Sequence, residues 1–194
     1  MVALGATVTA TPTPVPTATP EPTPAGYTVS LGCLSAADLL NTGDTVYDAY
    51  MNAAGVTNVS IRSTYLSTTI LKTTSVDPVT KTASFASMPN GDYVVSVTRS
   101  GYMIRDIAVT VAGGNVSLGD KSMIAGDIFP DEIIDGSDSE SMFSAIGYGY
   151  GDPNYIVSFD INLDGILDGT DSELLMANLG LDVGYYGESV NYYI

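Results

Sequence analysis

Asp160, Asn162 and Asp164 set three oxygen-bearing side chains at alternate positions; Gly165 follows at once, and Asp168 and Asp171 complete the run. Counted from Asp160, these residues fill positions 1, 3, 5, 6, 9 and 12 of an EF-hand-type calcium loop. The chemistry is that of a hard cation, which prefers oxygen and accepts about six to eight ligands in flexible geometry. Asp160, Asn162 and Asp164 would ligate through their side chains, and Ile166 through its backbone carbonyl. Asp168 would act directly or through water, and Asp171 would close the site as a bidentate carboxylate. Gly165 supplies the left-handed turn that wraps the chain round the ion.

A degenerate copy begins 33 residues upstream. Asp127, Asp131, Asp135 and Asp138 hold positions 1, 5, 9 and 12, and Ile133 offers the carbonyl at position 7. Phe129 stands where a third oxygen is expected, and Glu132 replaces the glycine, at a cost of about 1 kcal/mol for a left-handed residue with a side chain. Two ions are therefore expected, the first more weakly held. The copy is direct: Ile133 to Glu140 matches Ile166 to Glu173 at six of eight positions. Apolar periodicity predicts a helix after each loop, over 139–146 and 172–179, ended by Gly147 and Gly180. Neither loop has room for an entering helix, which argues against a sensor that opens a groove. Ile134 and Leu167, each at position 8, are expected to meet in a short β-like contact.

The remaining chain must position this unit. Residues 1–25 hold a Pro/Thr-alternating linker, which favours extended polyproline II and joins modules in secreted proteins. A linker directly after Met1 is expected of a C-terminal portion of a longer modular chain. Residues 26–120 read as short β-branched strands separated by turns such as Pro89-Asn90-Gly91-Asp92, hence an antiparallel β-sandwich, with a helical insertion over Ala36 to Ala54. Residues 121–194 carry the two loop–helix units and a tail. The fold class expected is therefore mixed, a β-sandwich followed by a small all-α unit.

Composition excludes several functions. Net charge is −16, and 14 of the 22 acidic residues lie from Asp127 onward, with no Lys or Arg after Lys121. Nucleic acid needs a basic face, which this chain lacks. The carboxylates would repel one another unless bound cations neutralised them, so calcium is expected to be structural, and its chelation to unfold residues 124–187 while sparing the sandwich. No segment is apolar and long enough for membrane insertion, and Cys33 alone forms no intrachain disulfide. The absence of histidine and of a spare carboxylate pair argues against an enzyme. Thirteen tyrosines keep a carbohydrate-binding or adhesin-type reading open, although tryptophan is absent. Tyr148, Tyr150, Tyr155, Tyr185, Tyr186, Tyr192 and Tyr193 bracket the two helices and are read as packing that seats this part on the sandwich.

The pattern Gly126-Asp127-Ile128, a loop and helix, a spacer, then Asp160-x-Asn162-x-Asp164-Gly165 and a second helix resembles a dockerin module. The preceding text, with Phe85 to Tyr93 and Ser100-Gly101-Tyr102, is similar to the X module (Ig-like or carboxypeptidase-regulatory-like) that precedes the dockerin at the C-terminus of some cellulosomal scaffoldins. The resemblance implies a non-catalytic, extracellular role in cellulosome assembly and polysaccharide degradation. The partner implied is a type II-like cohesin domain of an anchoring or adaptor scaffoldin, bound in a calcium-dependent 1:1 heterodimer by an otherwise monomeric chain. The matching recognition positions are Ser137, Phe143 and Ser144 in the first unit, and Thr170, Met176 and Ala177 in the second. The internal repeat further implies binding in either of two orientations half a turn apart.

Overall fold

A computed structural model describes residues 26–34, 57–64, 66–77 and 79–188. Seven strands form two sheets. β1 (Tyr27–Leu34), β4 (Thr82–Met88) and β7 (Val116–Ser122) make one, in the order β4-β1-β7. β2 (Asn58–Arg62), β3 (Ile70–Ser75), β5 (Gly91–Arg99) and β6 (Tyr102–Val111) make the other, in the order β3-β2-β5-β6. Alternation dictates the inner faces: Val29, Leu31, Phe85, Val95, Val97 and Val109 all point into one core, as the two-residue period of a strand requires. In β4 the period slips. Met88 rather than Ser87 turns inward, because Ser87 adopts φ 57° in a bulge opposite β1. All pairings are antiparallel except β1 with β7, which is parallel, so the sandwich is not the wholly antiparallel one expected. The expected insertion at Ala36–Ala54 lies outside the described residues.

The fold-class expectation needs correction beyond the sandwich. The described structure is mostly β, and the chain beyond β7 does not form an all-α unit. It holds two short helices, α1 (Gly136–Ala145, ten residues) and α2 (Gly169–Met176, eight residues), and one 3-10 turn (Val183–Tyr186). Most of the remaining chain there is loop. The physical reason is local: the acid-rich loops consume the chain, α1 ends at Gly147, left-handed at φ 100°, and α2 ends at Ala177, before Gly180 is reached. Both helices begin three residues before their predicted starts, because Asp135 and Asp168 are N-caps of capping boxes closed by Asp138 and Asp171. Among the described residues no helix is long and apolar enough to cross a membrane.

Nor is the C-terminal part separate from the sandwich. Met123, Ala125, Ile128, Ile134, Met142, Ile161 and Leu175 belong to the same buried cluster as the sandwich interior. After β7 the chain runs back beside the start of β6, where Met103 N–H donates to Ile124 O (2.9 Å) and Gly126 N–H to Gly101 O (2.9 Å). Gly101, at φ 76°, also lets the segment before the second loop come close: a Cβ there would lie 2.2 Å from the carbonyl oxygen of Ser158. This shared core revises the expectation that the sandwich would be indifferent to unfolding of residues 124–187. Gly101→Ala should lower stability by more than about 1 kcal/mol, since strain at positive φ adds to a backbone clash. Thermal unfolding followed by circular dichroism measures this, and an unchanged midpoint would show that the junction is loosely packed.

Candidate functional site

Two loops precede the two helices, alike at their sixth and last positions but not at the fourth, where Leu163 turns left-handed at φ 58° and Pro130 cannot. Each turns left-handed at its sixth residue: Glu132 at φ 73° and Gly165 at φ 89°. Each last carboxylate lies under its loop, where Asp138 and Asp171 are fully buried. Asp138 accepts from the backbone N–H groups of Ile128, Phe129 and Asp135, each at 2.9 Å. Asp171 accepts in the same way from Ile161 (2.8 Å), Asn162 (3.3 Å) and Asp168 (3.0 Å). A carboxylate that gathers backbone donors pulls a loop into a closed turn, which is the local reason for this shape.

The other predicted residues follow suit. Asp160 is buried and accepts from the N–H groups of Asp164 (3.1 Å) and Gly165 (2.9 Å), and from the hydroxyl of Tyr155. Asn162, also buried, accepts from Asp164 N–H (2.9 Å) and donates its amide to the Asp164 carboxylate (2.9 Å). Asp164 in turn receives Ile166 N–H at 2.9 Å. In the first loop Asp127 is buried and receives Asp131 N–H (3.3 Å), while Asp131 receives Ile133 N–H (3.2 Å). Asp135 and Asp168 accept from the N–H groups of Ser137 and Thr170, each at 2.7 Å. Phe129, at the odd position of the first loop, is about half exposed.

The loops do not pair with each other. Ile134 and Leu167 are both fully buried, yet each pairs elsewhere. Ile134 exchanges hydrogen bonds with Gly180 (2.7 Å) and Leu181 (2.9 Å), after α2; Leu167 does so with Gly147 (2.8 Å) and Tyr148 (2.9 Å), after α1. Each loop is therefore clasped by the segment that follows the other helix. The six positions expected to recognise a partner fall on the outside: Ser137, Phe143, Ser144, Thr170, Met176 and Ala177 are all exposed, with Phe143 at 56% and Met176 at 46%. Inward helix positions are taken by Met142, Ala145 and Leu175 instead.

Three tyrosines make specific hydrogen bonds, two of which, Tyr155 and Tyr186, the sequence assigns to packing. Tyr102 of β6 donates its hydroxyl to Ile161 O in the second loop (2.8 Å). Tyr186 donates to Met103 O (3.0 Å) and accepts from Ile124 N–H (2.9 Å), with the Arg105 guanidinium 4.5 Å above its ring. Tyr155 reaches Asp160, and its ring meets Tyr150 edge-on at 6.1 Å. The only sequence signal for these roles is that Tyr155 and Tyr186 flank the loop–helix units. Tyr192 and Tyr193 lie outside the described residues.

The fit to calcium can be tested on this geometry. The donor set is all oxygen, as a hard cation requires, and it includes buried Asp160, Asn162 and Asp171. Charge also favours a cation: burial pushes Asp171 up to about 6, against the backbone donors and with repulsion from Asp160. Asp127 is likewise pushed up to about 6, by burial first and by repulsion from Asp138 and Asp131. Against this, no three His, Cys, Asp or Glu side chains among the described residues form a ready cage. The carboxylates are turned onto loop N–H groups instead. The residues fit the ion in donor chemistry and charge, and bringing them into a cage requires side-chain rotation.

The fold so defined is a two-sheet β-sandwich carrying a duplicated loop–helix pair at one end. Two solved structures share it, each 22% identical, over 83% of this chain and 100% of the matched chain. One is a C-terminal interface mutant of a type II cohesin–X–dockerin complex from Acetivibrio cellulolyticus, at TM-score 0.64. The other is an N-terminal interface mutant of such a complex from the same organism, at TM-score 0.61. At this identity the likeness establishes the fold alone. No protein-family model and no curated protein matches the chain.

The raised carboxyls give a pH test. Asp127 and Asp171 hold protons more tightly in the folded chain than at the ordinary 3.8, so the cation-free fold loses stability as pH rises from about 4 through about 6. Asp77 and Asp135, lowered by hydrogen bonds, act in the opposite sense only below the ordinary carboxylate range. With divalent ions chelated, the unfolding midpoint should be higher at about pH 5 than at about pH 7. A midpoint that rises over this interval would contradict the assignment.

Proposed function

We propose that this chain is a non-catalytic docking module, an X module joined to the dockerin side of a cohesin–dockerin pair. It binds a type II-like cohesin and tethers a scaffoldin to a cell-surface anchoring protein or to another scaffoldin outside the cell. The observation that carries this reading is the clasped pair of loop–helix units, which presents two equivalent sets of exposed residues: Ser137, Phe143 and Ser144, and Thr170, Met176 and Ala177. Large apolar side chains left in solvent at matching positions of a repeat suit a binding face better than a fold's interior. The shared fold with chains from cohesin–X–dockerin complexes supports the same reading.

The chemistry needed is modest. Asp160, Asn162, Asp164, Asp168, Asp171 and the Ile166 carbonyl would hold one calcium ion. Asp127, Asp131, Asp135, Asp138 and the Ile133 carbonyl would hold a second, weaker one. The ion supplies the positive charge that the C-terminal part lacks, fixing each loop and so the helix that leaves it. Phe143 and Met176 contribute apolar anchoring, and the Ser137 and Thr170 hydroxyls lie at the rim.

Calorimetry of the whole chain against a type II cohesin tests this. Phe143→Asp with Ser137→Asp, or Met176→Asp with Thr170→Asp, should leave most of the affinity if either face can be used. All four together should cost at least about 2 kcal/mol, the scale of a hot-spot loss. Chelation should abolish binding. Full affinity in chelator, or capture by cellulose in place of cohesin, would sink the proposal.

A further inference from the structure

Both loops are braced on one dipeptide of the sandwich. The second loop is tied by the Tyr102 hydroxyl to Ile161 O, at a point where Gly101 also lies against Ser158. The first loop is tied directly at its entrance, where Gly126 N–H donates to Gly101 O (2.9 Å), and a second time through the segment that follows α2. Gly180 N–H donates to Ile134 O, Ile134 N–H to Leu181 O, and Val183 N–H to Glu132 O at 3.3 Å. The 3-10 turn then carries Tyr186 onto Met103 O. Glu188 holds this strap down through Arg105 Nε (3.0 Å) and Lys121 Nζ (3.3 Å). Tyr102 and Met103 are adjacent and both buried, and Met103 N–H is itself bonded to Ile124 O.

We infer that the Tyr102–Arg105 start of β6 is a relay through which the state of one loop is felt by the other. Tyr102 and Met103 are buried and both backbone groups of Met103 are bonded, so releasing one of them leaves it unsatisfied and favours their moving together. Opening the first loop frees residues 180–183, withdraws Tyr186 from Met103, and so loosens the strand that carries Tyr102. Opening the second loop removes the acceptor of Tyr102 and acts in the reverse direction, with the same coupling free energy. The two loops then order together, although their amino-acid complements differ. For ion loading, this rests on the calcium reading above.

Amide hydrogen exchange by NMR on the whole chain tests the relay, with Tyr102→Phe and Tyr186→Phe, each of which deletes one hydroxyl. Tyr102→Phe should speed exchange at Ile161 and also, severalfold, at Ile134 in the first loop. Tyr186→Phe should do the same at Ile134 and at Ile161. Val59, Ile61 and Val95, deep in the sandwich, should keep wild-type rates. If each substitution speeds only the nearer loop, or if every amide speeds equally, the relay is wrong. Repeating the measurement with added calcium separates the two ideas: an ion that slows no amide defeats the calcium reading, while the comparison of variants still decides the relay.

Discussion

Charge without countercharge is the constraint on which the C-terminal part of this protein depends. Fourteen carboxylates follow Asp127, that residue included, and no Lys or Arg follows Lys121. Each carboxylate must be hydrated, neutralised by a proton or cation, or held by backbone dipoles. The structure uses the last of these inside: Asp138 and Asp171, fully buried, each gather three N–H groups, and both head a helix whose N-terminus favours negative charge. Side-chain cations are borrowed from the sandwich, where Arg105 and Lys121 reach Glu188. Glu188 thus holds the end of the acidic part against two basic residues of the sandwich.

The same constraint explains why the helices are short and the clasp crossed. Helices of ten and eight residues are below the length that holds in water unaided, so packing and caps must stabilise them. One apolar row of each faces inward through Met142, Ala145 and Leu175, and little apolar surface is left to bury. Backbone pairing between each loop and the segment beyond the opposite helix supplies the remaining order. Neither half is complete without the other, and Phe143 and Met176 are released from core duty to face solvent.

What the sequence made legible was whatever side chains encode. The repeat and the left-handed sixth position of each loop leave a residue-level signature. The helices start earlier than apolar periodicity places them because Asp135 and Asp168, whose carboxylates suit a cation, also cap a helix. The crossed clasp was invisible for a different reason: Gly147, Tyr148, Gly180 and Leu181 pair through backbone groups that every residue has. The parallel pairing of β1 with β7 was likewise hidden, since parallel and antiparallel neighbours can bury the same residues. The fold class failed at the acid-rich end, where helical periodicity was real but loops took most of the chain.

Glu132 shows how these levels meet. Its backbone sits at φ 73°, where Gly165 sits at φ 89° in the other loop, so the first loop pays for a side chain in a left-handed turn. Its carbonyl accepts Val183 N–H, which places the strained residue at the root of the strap leading to Tyr186. A turn that is unfavourable by itself is thus kept in shape by contacts that end on the sandwich. Gly165 carries no such strain, although Leu163 in the same loop turns left-handed at φ 58°, and Tyr102 reaches that loop directly. Each loop thus holds one side chain in a left-handed turn, and each touches the start of β6 directly, the first through Gly126 N–H to Gly101 O. The first loop has the strap through Tyr186 to Met103 as an additional brace, and it is the loop that has lost both a glycine and a ligand position.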